Sequence, residues 1–379
     1  MLGRLIAACG VLAVAGPAFA NDSVAELGTG GIILSQTGSV SMVSEDLFIS
    51  LDKVTVDYVF KNETDKDIDT IVAFPMPDIN GTIYDRPQIP DDQSDNFLGF
   101  EVTVDGKDVK PELEQKAFAV GIDVTDLLKA NNVPVNPFSP PVFDALAKLP
   151  DATIQDWITR GLVFIDQYDD GSGWKNMPTP MWSLKSTYWW KSSFPAGKEV
   201  KVSHRYKPSV GATSGLTFFY DNKFQNNDGT YDQYKQDYCI DSGFEKAVLK
   251  AAKESKEGYP QLMEERLDYV LTTGGNWALG TIGNFKLTVD KGQTDNIVSF
   301  CGEGVKKTGD TTFEMTAKDY YPFKDIKILI LHPFEMESSE PTAAPATRGL
   351  NPNAPGGDDD SADDPGEPGP GGQTQASKG

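Results

Sequence analysis

The sequence predicts a mainly β protein: two antiparallel β-sandwich-like domains, a helical insertion in the first, and a disordered C-terminal tail. Three observations predict it. Between Lys53 and Pro77, Val54, Val56, Tyr58 and Phe60 alternate with Thr55, Asp57, Val59 and Lys61, the period of a half-buried strand. Short segments of similar character recur along the chain, bounded by Gly, Pro, Asn and Asp turn signals. From Ser338 the composition collapses into Pro, Gly, Ala, Ser and Asp, which cannot bury enough apolar surface to order itself.

Residues 1–20 read as a secretory signal. Arg4 supplies the charged region, Leu5 to Gly16 the apolar region, and Ala18-Phe19-Ala20 a small-x-small cleavage site. The mature chain is expected to start at Asn21 and to be exported, most naturally to a Gram-negative periplasm. Ile6-Ala7-Ala8-Cys9 superficially matches a lipoprotein box, but cleavage there leaves almost no apolar region upstream. No later stretch approaches the ~20 apolar residues of a membrane-spanning helix.

The first domain is expected over residues 21–220. Ile32 to Ser35, Ser39 to Val43 and Leu47 to Ser50 read as short strands. The alternating strand follows, then a polar turn at Asn62 to Asp67 and a return strand, Ile68 to Phe74, stopped by Pro75 and Pro77. The pair reads as a hairpin. Leu98 to Val104 reads as another strand, ended by an Asp105-Gly106 turn. Residues 111–178 read as an insertion, with short helices at Val124 to Asn131, Val142 to Leu149 and Ala152 to Arg160 around a proline-dense loop. Strand signals return at Met181 to Trp190 and Glu199 to Tyr206.

A second β-rich domain with two helices is expected over residues 221–336. Phe244 to Lys253 and Tyr259 to Leu271 read as the helices. Phe285 to Val289, Asn296 to Phe300, Thr311 to Thr316 and Asp325 to Leu331 read as strands. The remaining 337–379 is the acidic Pro/Gly-rich tail, whose seven acids from Ser338 onward face only Arg348 and Lys378.

The formal charge of −22 excludes nucleic acid and an anionic membrane surface as natural partners, since both would repel the chain. Of three cysteines, only Cys239 and Cys301 survive removal of the leader. In an oxidising compartment they have a single intramolecular pairing, and no C-x-x-C is present for redox work.

Several motifs stand in order along the chain: N-D-S-V-A-E-L-G-T-G-G at Asn21 to Gly31, S-E-D-L-F-I-S at Ser44 to Ser50, and F-K-N-E-T…A-F-P-M-P from Phe60 to Pro77. H-R-Y-K-P-S-V-G at His204 to Gly211 and T-T-G-G-N-W at Thr272 to Trp277 follow. Together they resemble the bacterial secreted family catalogued as domain of unknown function 4424, over nearly the whole mature chain to about Pro333. That resemblance implies no activity and no catalytic residues. Phe60, Asn62, Thr64, Phe74, Pro75 and Pro77, with Pro195, Gly197, Val200, Val202 and Tyr206 later, are more distantly similar to the vault/inter-alpha-trypsin module. That likeness implies a β-sandwich; the D-x-S-x-S adhesion motif is absent.

Candidate sites are few. His204 and His332 are the only histidines, and no G-x-S-x-G is present. Ser203 adjoins His204, but strand neighbours point to opposite faces, so both histidines read as structural. Trp174, Trp182, Tyr188, Trp189 and Trp190 are concentrated in one stretch. Trp182, Leu184, Tyr188 and Trp190 share a parity that suits a core, leaving Trp189 as the best exposed position. Trp189, Trp174 and Tyr188 are the candidate ligand-binding aromatics for a glycan. Asp221 to Asp241 is dense in oxygen donors, and Asp221, Asp228 and Asp232 are the candidate calcium ligands, although Gly229 stands at the wrong offset for an EF-hand. Asp166, Asp169 and Asp170 near Gly171 form a similar hydrophilic segment. No cofactor is implied.

With no identifiable catalytic set, the leading expectation is a non-enzymatic binding or scaffolding protein of the cell envelope with an envelope protein as partner. A periplasmic binder of glycan or cell-wall fragments is the alternative, and a carboxylate-based polysaccharide hydrolase a weaker one.

Overall fold

Val54–Asn62 and Ile68–Pro75 are both strands, as their alternation requires, but they do not pair with each other. They enter different sheets of the computed structural model, which describes residues 21–28, 31–81, 87–169, 171–226, 229–255 and 259–334. The expected leader, the acidic tail, Asp170 and Asp228 lie outside the described residues. Val54, Val56, Tyr58 and Phe60 on one strand and Val72 and Phe74 on the other are all buried in one core. Putting the two strands in facing sheets buries both apolar faces at once, which a hairpin within one sheet does not.

Asn62 makes the corner. Its Nδ2 donates to the carbonyls of Lys66 (2.7 Å) and Phe194 (2.8 Å), while its Oδ1 accepts from Thr64 N at 2.9 Å. Ser183–Phe194 and Glu199–Tyr206 cross between the same two sheets, and the Asn62–Phe194 bond ties the two crossings together.

The chain is mainly β and sandwich-like. A seven-stranded sheet centres on Ser183–Phe194, which pairs with Glu112–Ala119 and Ile68–Pro75; Ser23–Gly28 continues it. An eight-stranded sheet runs through Thr312–Tyr320, Ile282–Asp290, Val40–Ile49, Val54–Asn62 and Glu199–Tyr206. Its edge carries Glu101–Val104 and Lys107–Val109, joined at Asp105 and Gly106, both with positive φ (49° and 73°), the turn that the Asp-Gly pair predicts. A four-stranded sheet orders Gly211–Thr213, Leu262–Tyr269, Ile326–Pro333 and Ile297–Phe300. One core lies against all three sheets.

The helices Thr125–Ala130, Pro140–Leu146 and Asp151–Thr159 match the expected insertion and surround Trp157 and Trp182 in a separate core. The insertion is not helical throughout: Glu112–Ala119 belongs to the seven-stranded sheet, and Val163–Asp169 pairs with Trp174–Pro180 as a two-stranded hairpin.

Two expectations for the C-terminal part change. Tyr259 to Leu271 is not a helix; Leu262–Tyr269 is a strand. The second helix is Thr230–Tyr238, beside the expected one at Ser242–Glu254. One sheet spans the position near Asp221 where the second domain is expected to begin, because Ile282–Asp290 pairs in parallel with Val40–Ile49. Local periodicity carries no record of this pairing, which joins residues about 240 positions apart. A bulge between Met42 and Ser44 faces Gly283, where a Cβ would stand 2.6 Å from the Val43 carbonyl oxygen.

Cys239 and Cys301 form the expected disulfide, with Cα atoms 5.0 Å apart. It closes a loop across the helix Ser242–Glu254 and the strand Leu262–Tyr269. Replacing both cysteines by serine should cost about 4 kcal/mol in urea unfolding. A loss below about 1 kcal/mol would mean that the loop is already constrained without the bond.

Candidate functional site

The motifs that mark this sequence converge in space. Asn21, Asp22 and Ser23 are fully buried. Thr273 Oγ1 donates to the Asn21 carbonyl at 2.7 Å, Trp277 Nε1 to the Asp22 carbonyl at 2.7 Å, and Asn276 Nδ2 to Ser23 Oγ at 2.9 Å. The T-T-G-G-N-W segment is therefore the receptor for N-D-S. Gly274 is required there, because a Cβ would lie 2.8 Å from Asn21 Nδ2.

Asn21 Nδ2 donates to Glu45 Oε2 at 3.1 Å, and Tyr58 OH donates to Asn21 Oδ1. Tyr269 OH lies 3.0 Å from Tyr58 OH and donates to Glu45 Oε1 at 3.3 Å. His204 Nε2 stands 2.9 Å from Asp22 Oδ1, with both side chains wholly enclosed. Rings of Tyr58, Phe74, Phe100 and Trp190 surround the imidazole. Burial raises the Asp22 carboxyl, opposed by the charge and hydrogen bond of His204. Burial also raises the Glu45 carboxyl to about 8, against the hydrogen bonds from Asn21 and Tyr269. This network is sealed, so it organises the fold and presents nothing to a ligand.

The sequence-predicted aromatics do not form one platform. Tyr188 is buried, stacks on Phe100 at 4.3 Å between ring centres and donates to Asn96 Oδ1 at 2.6 Å. Trp182 and Trp190 are buried on the same parity, as the alternation predicts. Trp189 is half-buried on the opposite face, between Ala73 and Glu112 in register. Trp174 is 77% exposed but stands in the two-stranded hairpin, outside that sheet.

Among the calcium candidates, Asp221 is in a left-handed turn (φ 50°) and exposed. Asp232 lies on the helix Thr230–Tyr238, 2.7 Å from Lys235 Nζ, and accepts from Asn226 Nδ2 at 2.6 Å; these two partners hold its carboxyl low. Among the described residues no group of three or more His, Cys, Asp or Glu side chains is arranged to hold a metal ion.

The open site lies elsewhere. A cleft of about 340 Å³ is lined by Tyr206, Ser209, Tyr238, Arg266, Asp268 and Asp78, among others. Leu262–Tyr269 builds its floor by alternation: Leu267 and Tyr269 enter the core, while Glu264, Arg266 and Asp268 share the other face. Glu264 is fully buried; it accepts from Thr217 N and Oγ1, from Tyr234 OH at 2.8 Å and from Arg266 Nη1 at 3.1 Å. Arg266 Nη1 also donates to Tyr234 OH at 2.9 Å, so the guanidinium is held in place.

Asp268 is open to water in the cleft, yet enough protein surrounds it that burial raises its carboxyl, with Lys327 opposing and Asp237 adding to the rise. Burial and the neighbouring Asp268 push the Tyr238 phenol up as well. Ser209 Oγ is shielded from solvent and has no hydrogen-bond partner among the described residues. Asp78, at the rim, pairs with Lys185 at 2.9 Å. A wider groove of about 770 Å³, sharing Pro208 with this cleft, holds His332 Nδ1 2.9 Å from Glu265 Oε2.

Reading Tyr259 to Leu271 as a helix hid Arg266 and Asp268, since helical spacing does not place residues two apart on one face. Arg266-Leu267-Asp268-Tyr269, polar and apolar by turns, was the signal for a strand. No helix among the described residues is long and apolar enough to cross a membrane.

Compared with solved structures, the chain is similar to a Legionella pneumophila protein described as a candidate nutrient-binding protein. The identity is 17% and the TM-score 0.36, over 82% of this chain and 72% of that one. It is also similar to a two-domain M1 zinc metallopeptidase, with 7% identity and a TM-score of 0.22, over 78% of this chain and 44% of that one. Likenesses this distant carry no argument about chemistry. No curated protein matches the chain. The family model for the domain of unknown function DUF4424 matches residues 20–329, and the chain belongs to that family.

Proposed function

We propose that this protein is an exported, periplasmic, non-enzymatic binding protein of the cell envelope, taking a glycan or cell-wall fragment in the cleft at Arg266 and Asp268. The observation that carries the reading is the cleft's makeup. A fixed guanidinium, a water-accessible carboxyl raised by its surroundings, an unpartnered serine hydroxyl and two tyrosines converge on one concavity. Hydroxyl-rich rings match such a lining: tyrosines offer apolar surface, while the water-accessible Asp268 offers hydrogen-bond acceptors. This relocates the glycan reading from Trp189, Trp174 and Tyr188. The secretory pattern at residues 1–20 and the disulfide both suit an oxidising compartment.

Thermal melting of the chain beginning at Asn21, against a panel of cell-wall sugars and muropeptide fragments, tests the reading. A ligand at a hundredfold excess over its Kd should stabilise the fold by about 2.7 kcal/mol. Asp268→Asn should abolish that shift while leaving the unliganded melting temperature nearly unchanged, because the side chain is accessible to water. Calcium belongs in the panel as a separate arm for the Asp221–Asp241 segment. No shift with any sugar fragment, together with a specific protein crosslink in the periplasm, would replace the glycan reading by scaffolding.

A further inference from the structure

Asn21 has a second part to play in the sealed network. Its side chain, its carbonyl and the following Asp22 and Ser23 are all locked into the core by bonds to residues from four distant segments. A mature N-terminus ordinarily sits in solvent, where its ammonium is hydrated. Here the first expected mature residue is 0% exposed. Glu45 is equally enclosed at 1%, and its hydrogen-bond partners, Asn21 Nδ2 and Tyr269 OH, are both neutral. The other buried acid of the network, Asp22, already faces His204 through Oδ1, while its Oδ2 has no hydrogen-bond partner among the described residues. A buried carboxylate without a cation is among the costliest groups a core can hold.

We infer that the α-ammonium group freed at Asn21 is the missing counter-charge of Glu45, so that removal of the leader completes the core. Hydrolysis adds one water across the Ala20–Asn21 peptide bond, leaving a carboxylate on Ala20 and an amine on Asn21 that takes up a proton. Before that step the Asn21 nitrogen is an uncharged amide. Afterwards a cation is covalently bound to the residue whose side chain already contacts Glu45 Oε2. Asp22, His204, Tyr58 and Tyr269 also face this point. This counter-charge rests on cleavage after Ala20 and is independent of the ligand in the cleft.

The test compares two forms of the full mature chain: protein exported through its own leader, and the same chain carrying Gly-Ser ahead of Asn21. The exported form should begin at Asn21 by N-terminal sequencing and melt several degrees above the extended form. Glu45→Gln, which removes the carboxylate, should close that gap. In the exported form, acylation of the α-amine near pH 7 should be at least about tenfold slower in the folded than in the unfolded protein. This labelling decides the matter even if Glu45→Gln fails to fold. Equal melting of the two forms, equally fast labelling folded and unfolded, or a start other than Asn21 would each overturn the inference.

Discussion

Replacing Asp22 by alanine is expected to cost the folded state about 3–5 kcal/mol, one of the largest single-site effects available in this protein. The loss leaves His204 enclosed by Tyr58, Phe74, Phe100 and Trp190 with no carboxylate beside it. Urea unfolding of the chain beginning at Asn21 measures it. A double variant, Asp22→Ala with His204→Phe, removes both polar groups while keeping a ring in the aromatic cage, and should recover much of the loss. Such recovery is expected because most of the cost of breaking a buried pair is the stranded partner. A single-variant loss below about 1 kcal/mol would show that the pair contributes no more than a surface ion pair does.

The second large effect is a dependence on pH set by Glu45. Its carboxyl is raised to about 8 in the fold, against 4.5 when unfolded. Between these values the folded state retains a proton that the unfolded chain releases, so stability falls as pH rises. The contribution is fully present below pH 4.5 and lost as pH passes through about 8. By linkage its full size is several kcal/mol, on the order of 5 at most. Unfolding free energies from pH 4.5 to 8.5, subtracted from those of Glu45→Gln, isolate it from other groups that titrate in that window. The extended chain should show the full slope. In the chain that begins at Asn21 the slope should be shallower, because an adjacent ammonium pulls the carboxyl back down. Identical slopes for wild type and Glu45→Gln would remove Glu45 from the account.

Both effects engage the head of the expected mature chain, Asp22 directly and Asn21 through its bond to Glu45, and both depend on distant partners. Asp22 meets His204 across 182 positions, and Asn21 meets Thr273 across 252. In the sequence, Asn21-Asp22-Ser23, Glu45, His204 and Thr272 to Trp277 appear as separate polar motifs. Nothing in the spacing of each shows that they share a cavity. The cleft was hidden for a different reason. Glu264, Arg266 and Asp268 share a face only on a strand, and the run Leu262-Met263-Glu264-Glu265 obscures the alternation that Arg266 to Tyr269 displays.

The sequence by itself determined what a short window of residues controls. The period of two in Val54 to Phe60 and in Trp182 to Trp190 set which side chains are buried. The Asp105-Gly106 pair set a turn, local patterning around a proline-dense loop set three helices, and the count of cysteines set the bond between Cys239 and Cys301. Only the tertiary structure decided that Val54–Asn62 and Ile68–Pro75 face each other from opposite sheets, that Ile282–Asp290 lies beside Val40–Ile49, and that the head of the chain is enclosed in the core. Alternation specifies which face of a strand is apolar and is silent about which strand covers it. That choice belongs to the whole chain, which must bury its apolar faces together while pairing most of the polar groups it encloses.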